Sequence, residues 1–273
     1  MENGQLNWIA NFIWGIADDV LRDVYVRGKY RDVILPMTVI RRLDAVRSNH
    51  LTDDACERFY KMLAQAERPL IYAGGGVINA NATKPLRRFA NEYDIPGTTT
   101  LMALGVGNTQ HPMALHMLGM HGLASANYAV EDCDFLIAVG ARFDDRVAGD
   151  PKAFAGGAKN IAHFDVDIAE IGKVKRVTWH HVGVLDRDLT TLLDYGRKIG
   201  FRKDFSAWHQ HIAELKREYC LDYDRDSELI QPYAVIEEIN KHTNGEAIIS
   251  TGVGQHQMWA AQHFDYAEPR LWL

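Results

Sequence analysis

Apolar residues recur with a helical period at the start of the chain. Trp8, Phe12, Ile16, Val20 and Val24 stand four apart, with Ile9, Ile13 and Leu21 beside them, so one broad face is apolar. Gly28 to Tyr30 breaks the run. Asp32 is placed to cap a second helix, Pro36 falls where a first turn tolerates it, and Ile34, Met37, Ile40, Leu43 and Val46 resume the period. The pattern predicts a short helical hairpin over residues 7–47, with an apolar stripe (Trp8, Phe12, Ile16) that needs a partner.

After a polar junction at Ser48 to Asp54 the texture changes. Pro69 to Ala73, Thr98 to Leu101, Asp134 to Gly140, Ile161 to Val166 and Val177 to Val182 read as strands, and most are continuously apolar. Helical patterns separate several of them, including one capped by Thr83 and one from about Leu185 to Tyr195. Strands apolar on both faces, alternating with helices, predict an α/β fold: a parallel sheet of about six strands with helices on both faces, preceded by the helical hairpin. An amphipathic helix follows at Phe205 to Tyr219, then an acidic, turn-rich stretch from Asp222 to Glu228. A further unit opens with a helix from Pro232, a strand at Ala247 to Thr251 and the turn Gly252-Val-Gly254 before another helix. The expected organisation is therefore residues 1–50, 54–200, 201–230 and 231–273. The last piece is expected to be weakly anchored, with Ile248 and Trp259 short of neighbours.

Composition narrows the function classes. The 273 residues are 47% hydrophobic and 24% charged, as in ordered globular proteins, with a net charge of −6. A pI near 6.0 gives no global reason to expect nucleic acid as a partner. Cys56, Cys133 and Cys220 are isolated, which fits reduced thiols in the cytoplasm better than a disulfide or metal framework. No stretch approaches the roughly 20 apolar residues of a membrane span, and the N-terminus lacks a basic leader.

In a parallel sheet, ligands gather at the carboxyl ends of strands. Gly74-Gly-Gly76 sits at such an end, where missing Cβ atoms admit a phosphate or ring; it equally suits a strand–helix turn. Gly140-Ala-Arg-Phe-Asp-Asp-Arg146 offers two guanidiniums for an anion, or else a surface ion-pair cluster. Phe164-Asp-Val-Asp167 supplies carboxylates suited to a ribose or adenine, while Asp167 also serves as a helix cap. Met117-Leu-Gly-Met-His-Gly122 suits a flat aromatic ligand better than a core helix, although His121 also reads as structural. The histidines show no metal-binding spacing, and no metal ligand is assigned.

Two stretches resemble known families. Asn7-Trp-Ile-Ala-Asn-Phe-Ile-Trp-Gly-Ile-Ala-Asp-Asp19, continuing to Arg41-Arg-Leu-Asp44, resembles the start of the modification subunit of type I restriction systems. The Asn-Pro-Pro-Phe/Tyr motif of that methyltransferase family is not in this sequence, so methylation is not expected. Thr98-Thr-Thr-Leu-Met-Ala-Leu-Gly105, Met117 to Gly122, Ala126-Asn-Tyr-Ala-Val130, Gly140 to Val147 and Asp167-Ile-Ala-Glu-Ile-Gly-Lys173, with Gly74 to Gly76, resemble the central domain of acetohydroxyacid (acetolactate) synthase. Thr251-Gly-Val-Gly-Gln-His-Gln-Met-Trp-Ala-Ala261 resembles the opening of that family's C-terminal domain. Together the resemblance runs from about Asp54 to Leu273.

That family condenses 2-oxoacids on thiamine diphosphate and Mg²⁺ in branched-chain amino-acid biosynthesis, with FAD in a largely structural role. The resemblance assigns flavin contacts to Gly74, Gly75, Gly76, Thr100, Leu101, Met102, Gly119, Met120, His121, Gly122, Gly140, Ala141, Arg142, Asp144, Asp165 and Val166. It assigns the carboxylate of the second oxoacid to Arg146, and the thiamine diphosphate to Gln255 and His256. Where the family has Gly-Asp, this chain has Gly183-Val184, which removes a carboxylate contact to the adenosine end of FAD. The family's activating glutamate, carried by its N-terminal domain, has no counterpart here. Its Mg²⁺-holding Gly-Asp-Gly motif is not found in the sequence. The expectation is a synthase by descent, a fusion or gene fragment, inactive alone and able to pair with a synthase large subunit. The alternatives are a non-catalytic scaffold for synthase subunits and an interaction module engaging restriction subunits.

Overall fold

The computed structural model describes residues 49–273, and the helical hairpin expected over residues 7–47 lies outside them. The unit from His50 to Leu273 is built on six parallel strands: β1 (Pro69–Ala73), β2 (Gly97–Thr99), β3 (Ala114–Met117), β4 (Phe135–Val139), β5 (Asn160–Asp165) and β6 (Trp179–Val182). They lie in the order β3-β2-β1-β4-β5-β6. The predicted α/β class and parallel sheet are therefore present.

β1 and β4 are buried at every position, which is why their sequences are uninterrupted apolar runs. Helix α1 (Asp53–Gln65) turns Cys56, Phe59, Tyr60 and Leu63 onto one face of the sheet. Phe59 is its centre, with ring centroids 5.5 Å from both Phe135 and Trp179, 5.8 Å from Phe164 and 6.0 Å from Phe89. Phe89 comes from α3 (Thr83–Glu92), which packs on α5 (Leu185–Lys198); α2 (Gly75–Asn79) is a single short turn of helix after β1. Residues in register on the other face include Tyr72, Ala138 and His163, covered by Phe143 and Phe154. Helix α4 (Ala124–Asp132) packs against α6 (Ser206–Glu218), whose Trp208, Ile212 and Leu215 join the main core. Thr83 is the first residue of its helix and Ala82 takes the cap position, one residue earlier than expected.

The sixth strand, β3, was not among the candidates read from sequence. It is a four-residue edge strand, and its pairing with β2 shifts register. His116 within it takes a left-handed φ of 55°, so the strand is bulged.

Beyond the acidic stretch, α7 (Pro232–Thr243) and α8 (Gln255–His263) pack together. The strand expected at Ala247 to Thr251 is reduced to one isolated bridge, Ile249 to Trp272. The tail nevertheless has a core of its own: Ala260, Ala261, Phe264, Tyr266 and Trp272 bury themselves against Leu104 and Met117. Arg87 reinforces this docking, donating to the carbonyls of Gly105, Val106 and Ala267 and to the Glu268 carboxylate at 2.6–3.0 Å. Of the two residues expected to be short of neighbours, Ile248 is 64% exposed, while the Trp259 ring lies 5.6 Å from that of Tyr233.

Candidate functional site

The sheet reverses its direction of winding between β1 and β4, and the loops leaving those two strands meet there. The Gly74 N–H donates to Val139 O at 2.9 Å, and the Gly76 N–H to Gly140 O at 3.1 Å. Gly140 has a φ of 57°, and a Cβ added to it would stand 2.8 Å from the Gly76 Cα. The two glycine loops touch backbone to backbone, and that close approach requires glycine whether or not a ligand is bound. The crevice beside a winding reversal is also where parallel α/β sheets receive ligands.

The neighbouring strands bring their own loops to this end. Thr100 leaves β2 with its N–H on Ala73 O at 2.9 Å, and its hydroxyl is buried without a hydrogen-bond partner. Leu101 turns into the tail core, while Met102 is 65% exposed and lies beside Gly75. After β3, the Met120 N–H donates to Arg146 O at 2.8 Å and the Gly122 N–H to Gly119 O at 3.0 Å. The Met120 side chain is 65% exposed, and the His121 carbonyl accepts a hydrogen bond from Gln262 Nε2 on α8 at 2.8 Å.

After β4, Gly140 and Ala141 are buried and Arg142 is exposed, its guanidinium 3.5 Å from Asp144. Phe143 takes a left-handed φ of 55°, which turns its ring into the core between Tyr72 and His163 while its neighbours face solvent. Asp144 is held below the ordinary carboxylate range by a hydrogen bond with the Asp145 carboxyl and by the Arg146 N–H, with Arg142 and Arg146 adding their charge. A cavity of about 220 Å³ opens here, lined by Arg142, Asp144, Asp145, Glu170 and Lys173 among others. Asp165, at the end of β5, is buried and accepts the Asp167 N–H at 2.8 Å, while Val166 is 43% exposed. Asp167 caps the following turn by accepting the Ala169 N–H, as the simpler sequence reading has it.

The structure thus brings Gly74 to Gly76, Thr100 to Met102, Gly119 to Gly122, Gly140 to Asp144, Arg146, Asp165 and Val166 to one end of the sheet. Gln255 and His256 stand apart. They open α8, both exposed, about 10 Å along the helix axis from Gln262 at its far end. Val184 occupies the cap position of α5 without a side-chain cap. Two residues of the site carried no individual sequence assignment: Asn127, which holds Gly119 by both its backbone groups, and Gln262. The first lies inside a recognised motif; the second had no local signal.

Comparison with known proteins agrees with this architecture. Residues 56–192 match the model of the central domain of thiamine pyrophosphate enzymes. Residues 9–96 match the HsdM N-terminal domain, and where the two overlap, at 56–96, the described chain forms β1 and the helices around it. The chain is 46% identical over 223 residues to acetolactate synthase 2, chloroplastic, of Zea mays, covering 80% of this chain and 34% of that protein. It is 45% identical over 219 residues to the acetolactate synthase large subunit of Corynebacterium glutamicum, covering 80% and 35%. With acetolactate synthase, chloroplastic, of Arabidopsis thaliana it shares 42% over 227 residues, covering 81% and 33%. The chain spans about a third of the length of these relatives.

Proposed function

This chain belongs to the thiamine pyrophosphate enzymes through their central domain, and from that premise we propose that its strand-end crevice binds FAD as part of an acetohydroxyacid synthase. The observation that carries the reading is the exposure of Met102, Met120 and Val166 around the winding reversal. Three apolar side chains beside glycine backbone and a buried, unpartnered Thr100 hydroxyl suit a flat ring system with polar edges. With the Gly74 and Gly76 N–H groups spent on Val139 and Gly140, the main chain at Gly75 and the Arg142 guanidinium meet the diphosphate, and Asp165 takes ribose hydroxyls. Val184 withholds a carboxylate acceptor, which lowers affinity by about fivefold for a lost hydrogen bond of roughly 1 kcal/mol.

Arg146 orients the carboxylate of the second 2-oxoacid, and Gln255 and His256 meet the diphosphate of thiamine diphosphate. Thiamine diphosphate with Mg²⁺, when bound, supplies the nucleophilic carbon for the condensation. No Gly-Asp-Gly motif occurs among these 273 residues, and we read them, taken by themselves, as inactive and as a partner of a synthase large subunit. We place it in the cytoplasm, on its reduced thiols; among the described residues no helix is long and apolar enough to cross a membrane. One observation favours the scaffold reading as a second: α7 leaves Val235 and Ile239 exposed beside Ile230, an unpartnered apolar groove.

The test is a flavin titration of the purified chain with a parallel acetolactate assay supplying FAD, thiamine diphosphate and Mg²⁺. FAD binding that Arg142→Ala weakens by roughly tenfold, through loss of a charge-assisted contact, with no acetolactate formed, is the expected result. A chain that binds no FAD sinks the flavin reading. Turnover abolished by Arg146→Ala sinks the inactive one.

A further inference from the structure

Leu118 and Leu123 anchor the two ends of the loop after β3 in the main core, but residues 119–122 between them bury no apolar side chain, since Met120 and His121 both face outward. What fixes that stretch is polar. Asn127, on α4, accepts the Gly119 N–H through Oδ1 at 2.8 Å and donates through Nδ2 to the Gly119 carbonyl at 3.0 Å. One carboxamide thus satisfies both backbone groups of a single residue, as a neighbouring strand would. Of the side chains of this length, only asparagine offers a donor and an acceptor at that spacing.

The residue it grips is one of two tight glycines in the loop, the other being Gly122. Gly119 has a φ of 100°, and a Cβ there would stand 2.6 Å from the Arg146 carbonyl oxygen. The next residue donates its N–H to that same oxygen at 2.8 Å. Asn127 is carried by a helix whose Ser125, Ala126, Ala129 and Val130 are buried, so the clamp stands on rigid ground. From there a chain of contacts runs through Gly119 and Met120 to the main chain of Arg146. At the far side of the loop, Gln262 holds the His121 carbonyl from α8.

We infer that Asn127 is a positioning residue: by clamping Gly119 it sets the loop 119–122 against the Arg146 backbone. It thereby places Met120, facing the flavin, and Arg146, facing the oxoacid, with one device. The inference rests on the flavin-binding reading above for the identity of the ligand, and on the hydrogen bonds alone for the clamp.

The experiment uses the whole chain with FAD as the probe, comparing the parent with Asn127→Leu and Asn127→Asp. Leucine removes donor and acceptor while keeping the branched shape; aspartate keeps the acceptor but sets a carboxylate oxygen against the Gly119 carbonyl, is isosteric, and serves if the leucine variant does not fold. Three quantities are read: FAD affinity by fluorescence, visible circular dichroism of the bound flavin, and amide exchange of the ligand-free protein. Both variants are expected to bind FAD at least tenfold more weakly, with an altered flavin dichroism. Faster exchange is expected at Gly119 and Met120 while α4 and the sheet keep their protection. Parent-like affinity and dichroism overturn the inference, as does weakened binding with unchanged exchange in the loop. A parent chain that binds no FAD refutes the flavin reading instead. The clamp is then judged on exchange: a gain confined to residues 119–122 sustains it, and no gain there overturns it.

Discussion

Truncating Phe264 to alanine is expected to undock the C-terminal tail and leave the parallel sheet folded. Phe264 is 1% exposed and belongs to a small core whose members outside the tail, among the described residues, are Leu104 and Met117 with Leu101 packed against them. Its ring packs 5.2 Å from that of Tyr266, which in turn meets Trp272. Removing a buried phenyl costs about 3–5 kcal/mol, because the lost transfer energy is joined by the cavity left behind. Against that stand the Arg87 bonds to Ala267 and Glu268, the bonds exchanged between Thr109 and Tyr266, those of Thr109 with Asp265 and of Gln262 with the His121 carbonyl, and those from Arg270 to Ile78 and Asn81. Most of these are at least partly exposed and are replaced by bonds to water when the tail opens, so each contributes at most about 1 kcal/mol and the lost ring is the largest single change. Hydrogen exchange followed by mass spectrometry reads the outcome. Peptides covering residues 255–273 should lose most of their protection while those covering β1, β4 and β5 keep theirs. Equal loss in tail and sheet would show one cooperative unit, and an unchanged tail would show that the small core does not hold it.

His116 gives a pH prediction. Burial pushes its imidazole down from 6.5 to about 4, and nearby Asp265 offsets part of the shift. The unfolded chain then takes up the proton first, so stability is complete above about 6.5 and is lost as pH falls towards 4. The loss is at most about 3 kcal/mol, at about 1.4 kcal/mol for each pKa unit of the shift. His116→Asn tolerates the left-handed backbone and should flatten urea stability between those values; the same slope in both proteins would refute the assignment. At Gly183, an added methyl would land on Asp188 Oδ2 and His181 Nε2, which lie 3.2 Å apart, with the Asp188 side chain fully buried. Gly183→Ala should therefore lower unfolding free energy by about 1–3 kcal/mol, and parent-like stability in urea would mean the pair yields freely.

What the sequence reveals depends on how local the cause is. β1 and β4 are legible because each is apolar at every position, a pattern that only a strand covered on both faces requires. The glycine loops are legible as strand-end turns, but the neighbour that requires glycine there is not, because the approach of Gly140 to Gly76 joins segments over sixty residues apart. β3 escaped notice because it is four residues long, bulged at His116, and ends in a methionine that looked like part of a ligand motif. The docking of the tail was not legible either. Phe264 and Trp272 lie outside any periodic element, and nothing local in the sequence says that Leu104 and Met117 cover them. Asn127 reads as an ordinary polar residue of a helix until the loop curls back to meet it.

The bulge at His116 bears on how the molecule avoids itself. An edge strand offers a row of unpaired amides and carbonyls on which another chain can add a strand, and β3 is such an edge. Its short length and left-handed residue break the regular spacing that strand addition needs, so the exposed template is poor. The same edge carries Met117 beneath the tail. Each time the tail lifts, apolar surface and strand edge become available together, and the kink is then the remaining guard against stacking into fibres. Straightening it while weakening the tail would turn a docking defect into an assembly defect.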